Sequence, residues 1–280
     1  MQRTTDRAIL LVGHGNMGRA VTDGWRQAGI ALDRISIVTR GDSRTKLTHL
    51  EPEPRVIVLA TKPSQFAEVA PELSRLANAQ CTVVSLLAGM EIATLRHHLP
   101  HSGAIIRAMP NIAARIRRSS TLVFAASDTS RNDRDDVEAL LAAIGTVDWL
   151  EDERQMHVAT ALAGSGPAFF LTFQQNLAEA ARVRGLPGDL ASRLSASVFA
   201  ATAEMAARDE GSAAALCVQI ASPGGTTQAG LNVLAPLLSR LADQTIGAAA
   251  DRSLEIAAAL AATPPECVRP SDASSESINR

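Results

Sequence analysis

The chain contains no tyrosine, and its aromatic share is only 3%, made up of six Phe and two Trp. Without a phenol, no mechanism that needs one as proton donor or nucleophile is available. This removes the short-chain and aldo-keto reductase types, which pair a Tyr with a Lys. Lysine is almost absent as well: of 27 basic residues only Lys46 and Lys62 are Lys, so Schiff-base chemistry has two candidates. The three cysteines, Cys81, Cys217 and Cys267, stand far apart and form no CxxC pair. They read as buried thiols of a reducing compartment, not as a disulfide framework or a zinc site. No run of 18 apolar residues marks a membrane span, and residues 1–7 lead into a short apolar run without a cleavage-type region. A net charge of −2 with few stacking rings offers no basic stripe for nucleic acid. Together these absences point to a soluble cytoplasmic protein that binds neither nucleic acid nor membrane.

What is present is a chain of 280 residues, 46% of them hydrophobic, long enough for one or two domains of about 100–200 residues each. Its halves differ. Residues 1–150 carry 18 basic and 15 acidic side chains, and residues 151–280 carry 9 and 14. Short β-rich runs fill the first half, at 8–12, 35–39, 56–61, 81–87, 104–109 and 122–126, with helical patterns at 17–28 and 65–77 between them. Strands alternating with helices predict a mostly parallel sheet covered on both faces. Beyond residue 151 the strand signal ends, and Ala- and Leu-rich stretches at 153–184, 188–209, 211–221 and about 230–262 predict helices. Breaks fall at Gly185-Leu186-Pro187-Gly188 and Ser222-Pro223-Gly224-Gly225. The expected organisation is an α/β domain over 1–151, an all-helical domain over 152–262 and a disordered tail over 263–280.

The motif Gly13-His14-Gly15-Asn16-Met17-Gly18 follows a predicted strand and opens a predicted helix. In that context GxGxxG is a dinucleotide fingerprint: Gly13 for the tight turn, Gly15 for backbone approach to the pyrophosphate, Gly18 for close helix–strand packing. The second strand ends at Thr39 and is followed by Arg40, with Ser43 and Arg44 close behind. Guanidinium forks and hydroxyls suit a 2′-phosphate, so NADPH is the expected cofactor, with NADH as the second choice. Asp42 works against that preference.

Further motifs follow in order: Ala60-Thr61-Lys62-Pro63, Leu87-Ala88-Gly89, Arg107-Ala108-Met109-Pro110-Asn111, Ala163-Gly164-Ser165-Gly166-Pro167-Ala168 and Ser222-Pro223-Gly224-Gly225-Thr226-Thr227. In this order and at these separations the chain resembles the pyrroline-5-carboxylate reductases over residues 8–262. The resemblance implies an N-terminal Rossmann domain followed by a helical dimerisation domain, and NADPH-dependent reduction of 1-pyrroline-5-carboxylate to L-proline. It implies a homo-oligomer, a dimer or an assembly of dimers, whose active site joins one chain's nucleotide site to its partner's helical domain. Ala60, Thr61, Lys62, Pro63, Ala88 and Gly89 would line the nicotinamide side, with Asn111 near it. Gly224, Gly225, Thr226 and Thr227 would hold the substrate carboxylate, as backbone N–H groups at a helix start do for anions. Thr227 would be the hydroxyl nearest the imine nitrogen. Glu210 matches a family acid beside the substrate loop, a solvated helix-end carboxylate being the competing reading.

Departures touch the same region. Ile112-Ala113 stand where the family usually has Thr-Pro, Arg117, Arg118 and Ser119 where it has glycines, Phe169 where it often has Tyr, Gln175 where it has an acid, and Ser212-Ala213 where it has His-Pro. Another cyclic imine carboxylate as substrate, or a non-catalytic NADP-binding homologue, therefore remain alternatives. Ser165 lacks the GxSxG spacing of a hydrolase elbow. His97, His98 and His101 have no Cys or acid at ligand spacing, so no metal is expected.

Overall fold

The computed structural model describes residues 8–39, 41–42, 47, 50, 53–208 and 212–262. The predicted tail and the candidate residues Arg40, Arg44 and Glu210 lie outside them. The first half contains β1 (Ile9–Val12), α1 (Asn16–Gln27), β2 (Ile35–Val38), β3 (Val56–Leu59), α2 (Pro63–Leu76), β4 (Thr82–Ser85), α3 (Ile92–His98) and β5 (Ile105–Met109). After a 3-10 turn (Ile112–Ile116) come β6 (Ser119–Ala125), α4 (Arg131–Ala142) and β7 (Gly145–Trp149). The strands form one sheet in the order β2-β1-β3-β4-β5-β6-β7. Strands β1 to β5 are parallel, β6 is antiparallel to β5, and β7 runs parallel to β6.

The sequence patterns account for both faces of this sheet. Ile9, Leu11, Val56, Val58, Val84 and Ile106 join one buried cluster with Val21 and Trp25 of α1 and Val137 and Leu140 of α4. Their alternates Leu10, Val12, Ile57, Leu59, Val83 and Ile105 join a second cluster with Phe66 and Leu73 of α2 and Leu95 of α3. Burial on both faces is what a continuous apolar run of β-branched residues favours. β2, β3 and β4 end one or two residues before the predicted runs do, because the residues past them turn into loops at the carboxyl edge, and β1 and β5 start one residue later than predicted. Two differences go further. β6 starts at Ser119, three residues before the predicted run, and β7 adds a strand that the apolar pattern did not indicate. None of the five β7 residues is buried, so its sequence Gly145-Thr146-Val147-Asp148-Trp149 carries little hydrophobic signal.

The second half is helical: α5 (Gln155–Ala159), a single π turn (Thr160–Gly164), α6 (Gly166–Val183), α7 (Gly188–Arg208), α8 (Ala213–Ile220) and α9 (Thr226–Ala261). α9 starts four residues before the predicted stretch, so the Gly-Gly-Thr-Thr motif forms its first turn. None of these helices is long and apolar enough to cross a membrane among the described residues.

Candidate active site

Five loops leave the carboxyl ends of β1 to β5 on one edge of the sheet, and each carries one of the predicted motifs. The chain passes from β1 to β2 on one side and then returns across β1 to β3. That reversal opens a crevice where ligands bind in sheets of this kind. Here it is a cavity of about 850 Å³ lined by Gly13, His14, Gly15, Asn16, Met17, Thr39, Ala60, Thr61 and Lys62, nine of the predicted cofactor residues.

The glycine loop is shaped by backbone contact. Gly13 adopts φ +96°, and a side chain there would meet Ala60 and Thr61 backbone at 2.7 Å. A Cβ on Gly18 would lie 2.5 Å from the Gly13 carbonyl oxygen, so Gly18 lets α1 close against β1 and stays behind the cavity wall. At Gly15 a Cβ would meet nothing within 4 Å, which leaves room above the loop. Gly15 is also the N-cap of α1, without a side-chain cap and without an acid in the first turn. An uncapped helix end presents N–H donors and positive potential to an anion. Thr61 adds a buried hydroxyl with no hydrogen-bond partner among the described residues. Open space, free donors and an unused hydroxyl fit a bound dinucleotide.

The remaining predicted residues lie around this cavity or apart from it. Pro63 is the first residue of α2, the position where its missing N–H costs least. Ala88 and Gly89 follow β4 on the same edge. Gly89 has φ +74° and backs onto α9, where a Cβ would lie 2.7 Å from Ile256 Cγ2 and 3.1 Å from the Ala257 nitrogen. Asn111 is buried, and its side chain is engaged within the protein. Its Nδ2 donates to the Ala163 carbonyl at 3.1 Å, and its Oδ1 accepts from Ala113 N at 3.0 Å, capping the 3-10 turn. Asn111 thus ties the end of β5 to the π turn that precedes Gly166-Pro167.

Two contacts that the motifs did not signal sit at this junction, the first joining the halves and the second holding α5 to α9. Arg107, 2% exposed on β5, pairs with Glu153 at 2.8 Å, and the same carboxylate oxygen accepts from Ile92 N at the start of α3. His157 of α5 is buried, with Nδ1 2.9 Å from Ser253 Oγ on α9. Burial first and the Arg107 charge second push the His157 pKa below its usual range, with Glu91 and Glu153 opposing. The sequence clue available was an arginine inside the apolar run Ile105-Ile106-Arg107-Ala108-Met109. In the cavity wall, Arg19, Gln65, Glu68 and Glu72 also went unmarked; they face it from one helical side each, where polar residues read as solvent.

Gly224, Gly225, Thr226 and Thr227 form the opening of α9. Gly224 has φ +72°, Gly225 is the N-cap, and no acid occupies the first turn. The cradle lies at the end of α9 remote from where that helix docks. Ser253 and Ile256, which dock α9 beside His157 and Gly89, are 26 and 29 residues beyond Thr227. At 1.5 Å per helical residue, that is about 40 Å along α9.

His97 and His98 end α3 and, with His101 and Arg75, line a separate cavity of about 700 Å³. Among the described residues no group of three His, Cys, Asp or Glu is arranged to hold a metal ion.

Residues 153–256 match the family model for pyrroline-5-carboxylate reductase dimerisation. A pyrroline-5-carboxylate reductase of Pseudomonas aeruginosa is 30% identical over 263 residues, covering 89% of this chain and 96% of that protein. Pyrroline-5-carboxylate reductase 2 of Bacillus subtilis is 32% identical, covering 81% and 87%. The solved pyrroline-5-carboxylate reductase of Coxiella burnetii superposes with a TM-score of 0.80 at 30% identity, covering 89% of this chain and 98% of that one. The Plasmodium falciparum enzyme, solved with NADP bound, shares the fold at a TM-score of 0.79 and 22% identity, covering 90% and 99%. With its glycine loop at the sheet reversal, its helical half matching the dimerisation model and relatives at this identity across nearly its whole described length, the chain belongs to the pyrroline-5-carboxylate reductase family.

Proposed function

We propose that this chain reduces 1-pyrroline-5-carboxylate to L-proline with NADPH, in a site built from the dinucleotide cavity of one chain and the Gly224–Thr227 cradle of a second copy. The observation that carries this reading is the length of α9, which sets the cradle about 40 Å along the helix from Ile256, where α9 docks on Gly89 at the edge of the sheet. One chain supplies both half-sites but cannot bring them together. In this reading the Rossmann unit spans residues 1–151 and the dimerising unit 152–262, and a homodimer is the smallest working assembly.

When bound, NADPH supplies the hydride for the imine carbon. The chain's own residues hold and orient. N–H groups at the start of α1 receive the pyrophosphate beside Gly15. Thr39, Arg40 and Arg44 receive the 2′-phosphate, and Ala60–Pro63 with Ala88 and Gly89 shape the nicotinamide side. At the second half-site, the N–H groups of Thr226 and Thr227 donate to the substrate carboxylate at a helix start that Gly224 and Gly225 shape, and the Thr227 hydroxyl faces the imine nitrogen. Glu210, by the family resemblance, is the further candidate for substrate binding. A protonated cyclic imine is already electrophilic, so positioning carries most of the catalysis, and a hydroxyl or a water suffices as proton source. Asn111 is a positioning residue through Ala163. The thiols and the cofactor fit a reducing, cytoplasmic setting.

The test is NADPH oxidation by the purified chain with 1-pyrroline-5-carboxylate, run beside NADH and a panel of other cyclic imine carboxylates. L-proline formation is the expected result. Turnover confined to a different imine would reassign the substrate, and none with either cofactor would overturn the reading.

A further inference from the structure

We propose that Asp42 sets how this chain discriminates between the two nicotinamide cofactors, by placing an internal carboxylate where a 2′-phosphate would find its donors. The inference rests on the dinucleotide reading of the cavity and concerns its ribose end. β2 ends at Val38, whose carbonyl accepts from Gly13 N at 2.7 Å, so the next residue stands directly beside the glycine loop. That residue, Thr39, offers two donors, its backbone N–H and its hydroxyl. Both are taken by one oxygen of Asp42, at 2.7 Å and 2.9 Å. The chain turns back on itself to make this possible, with Asp42 N donating to Thr39 O at 3.0 Å.

The surroundings reinforce the effect. Glu68 and Glu72 of α2 face the same cavity. Of the described cations there, Lys62 and Arg19, the second has its Nε directed to the His14 carbonyl at 3.2 Å. A 2′-phosphate approaching Thr39 must displace the Asp42 carboxylate from two hydrogen bonds or lie against it as a like charge. A ribose 2′-hydroxyl faces neither obstacle: it is a donor, and a carboxylate accepts several hydrogen bonds at once. By sequence, Arg40 and Arg44 favour the phosphate and Asp42 opposes it, and the balance leaves NADH usable.

Dissociation constants for NADPH and NADH, measured calorimetrically on the full chain and on Asp42→Ala and Asp42→Asn, test this. Adenosine 2′,5′-bisphosphate and 5′-AMP serve as probes of the ribose end alone. Asp42→Ala is expected to tighten NADPH and the bisphosphate about tenfold and to weaken NADH about two- to threefold, with the shift shrinking at high salt. Asp42→Asn keeps an oxygen acceptor for Thr39 without the charge, and is expected to move the ratio the same way. An NADPH-to-NADH ratio that stays within about twofold in both variants, or moves toward NADH, overturns the proposal. Failure of the unaltered chain to bind either cofactor overturns the dinucleotide reading and this proposal with it, whereas cofactor binding without imine turnover leaves the role of Asp42 standing and removes only the substrate assignment.

Discussion

At Gly13 and Gly89 the requirement is for the absence of a side chain, and the two positions serve different purposes. Gly13 sits at φ +96° against Ala60 and Thr61 backbone, so Gly13→Ala adds both a disfavoured conformation and a clash that backbone must absorb. Its expected cost is about 3 kcal/mol, read as a lowered urea midpoint together with lost dinucleotide binding. Gly89, singled out for the nicotinamide side, is also where α9 docks. Its small size was legible, but its neighbour was not, because Ile256 is 167 positions away in the chain. Asn111 gives the same lesson. The motif marked it, while the structure engages its amide with Ala163. Asn111→Asp keeps the bond from Ala113 N and loses the donor to Ala163. We expect kcat to fall about tenfold or more through misplacement of the π turn, with KM for NADPH nearly unchanged; an unaltered kcat would remove Asn111 from the site. Burial pushes the Cys81 thiol up to about 12, which keeps it protonated and unreactive at neutral pH.

At the scale of elements, strands and helices buried on both faces of the sheet were legible from apolar runs, and the breaks between the long helices from Gly and Pro. β7 was not, since an edge strand with no buried residue has no pattern to show. The contacts that fasten α5 and α9 to the sheet were equally hidden, because each pairs residues remote in sequence. Arg107 is the clearest case. Glu153→Gln would leave its guanidinium charged and buried without a counter-ion. The expected loss is about 3 kcal/mol, the lower end for a broken buried pair because Glu153 keeps some contact with water. Chemical denaturation would measure it, and a midpoint within error of the unaltered chain would contradict it.

His157 makes the same junction sensitive to pH. Its folded pKa lies below the unfolded value of 6.5, so the unfolded chain binds the proton more readily. Stability is therefore complete above that value and falls as pH drops below it. His98 adds a slope of the same sign, its pKa lowered by burial and by His97. His157→Asn should flatten the decline between about pH 7 and pH 5 without abolishing it. A stability that rises on acidification would contradict the assignment.

For the molecule as a whole, the strongest feature is apolar surface on the helical half. Phe170, Phe173 and Leu177 stand exposed along α6, and Val233, Leu237 and Leu241 along α9, at helical spacing. Such stripes mark an interface, and the match of residues 153–256 to a dimerisation model agrees with them. The motif resemblance had already implied a homo-oligomer. Which faces remained illegible, since Ala- and Leu-rich helices are apolar on most sides. Leu237→Glu with Leu241→Glu should yield a monomer by light scattering that still binds dinucleotide and no longer turns over. A fully active monomer would contradict the shared site.

That shared site can be tested by mixing two disabled chains. Gly15→Val fills the open space above the glycine loop, where a side chain meets no protein atom, so it should block the cofactor and leave the fold intact. Thr227→Asp places a carboxylate at the start of α9, which suits the helix but repels an anionic substrate. Each variant alone should be inactive. In a one-to-one mixture half the dimers are hybrids, each with one intact cavity facing one intact cradle, and about a quarter of normal NADPH oxidation should return. No recovery in hybrids verified by native mass spectrometry would contradict a site assembled from two chains.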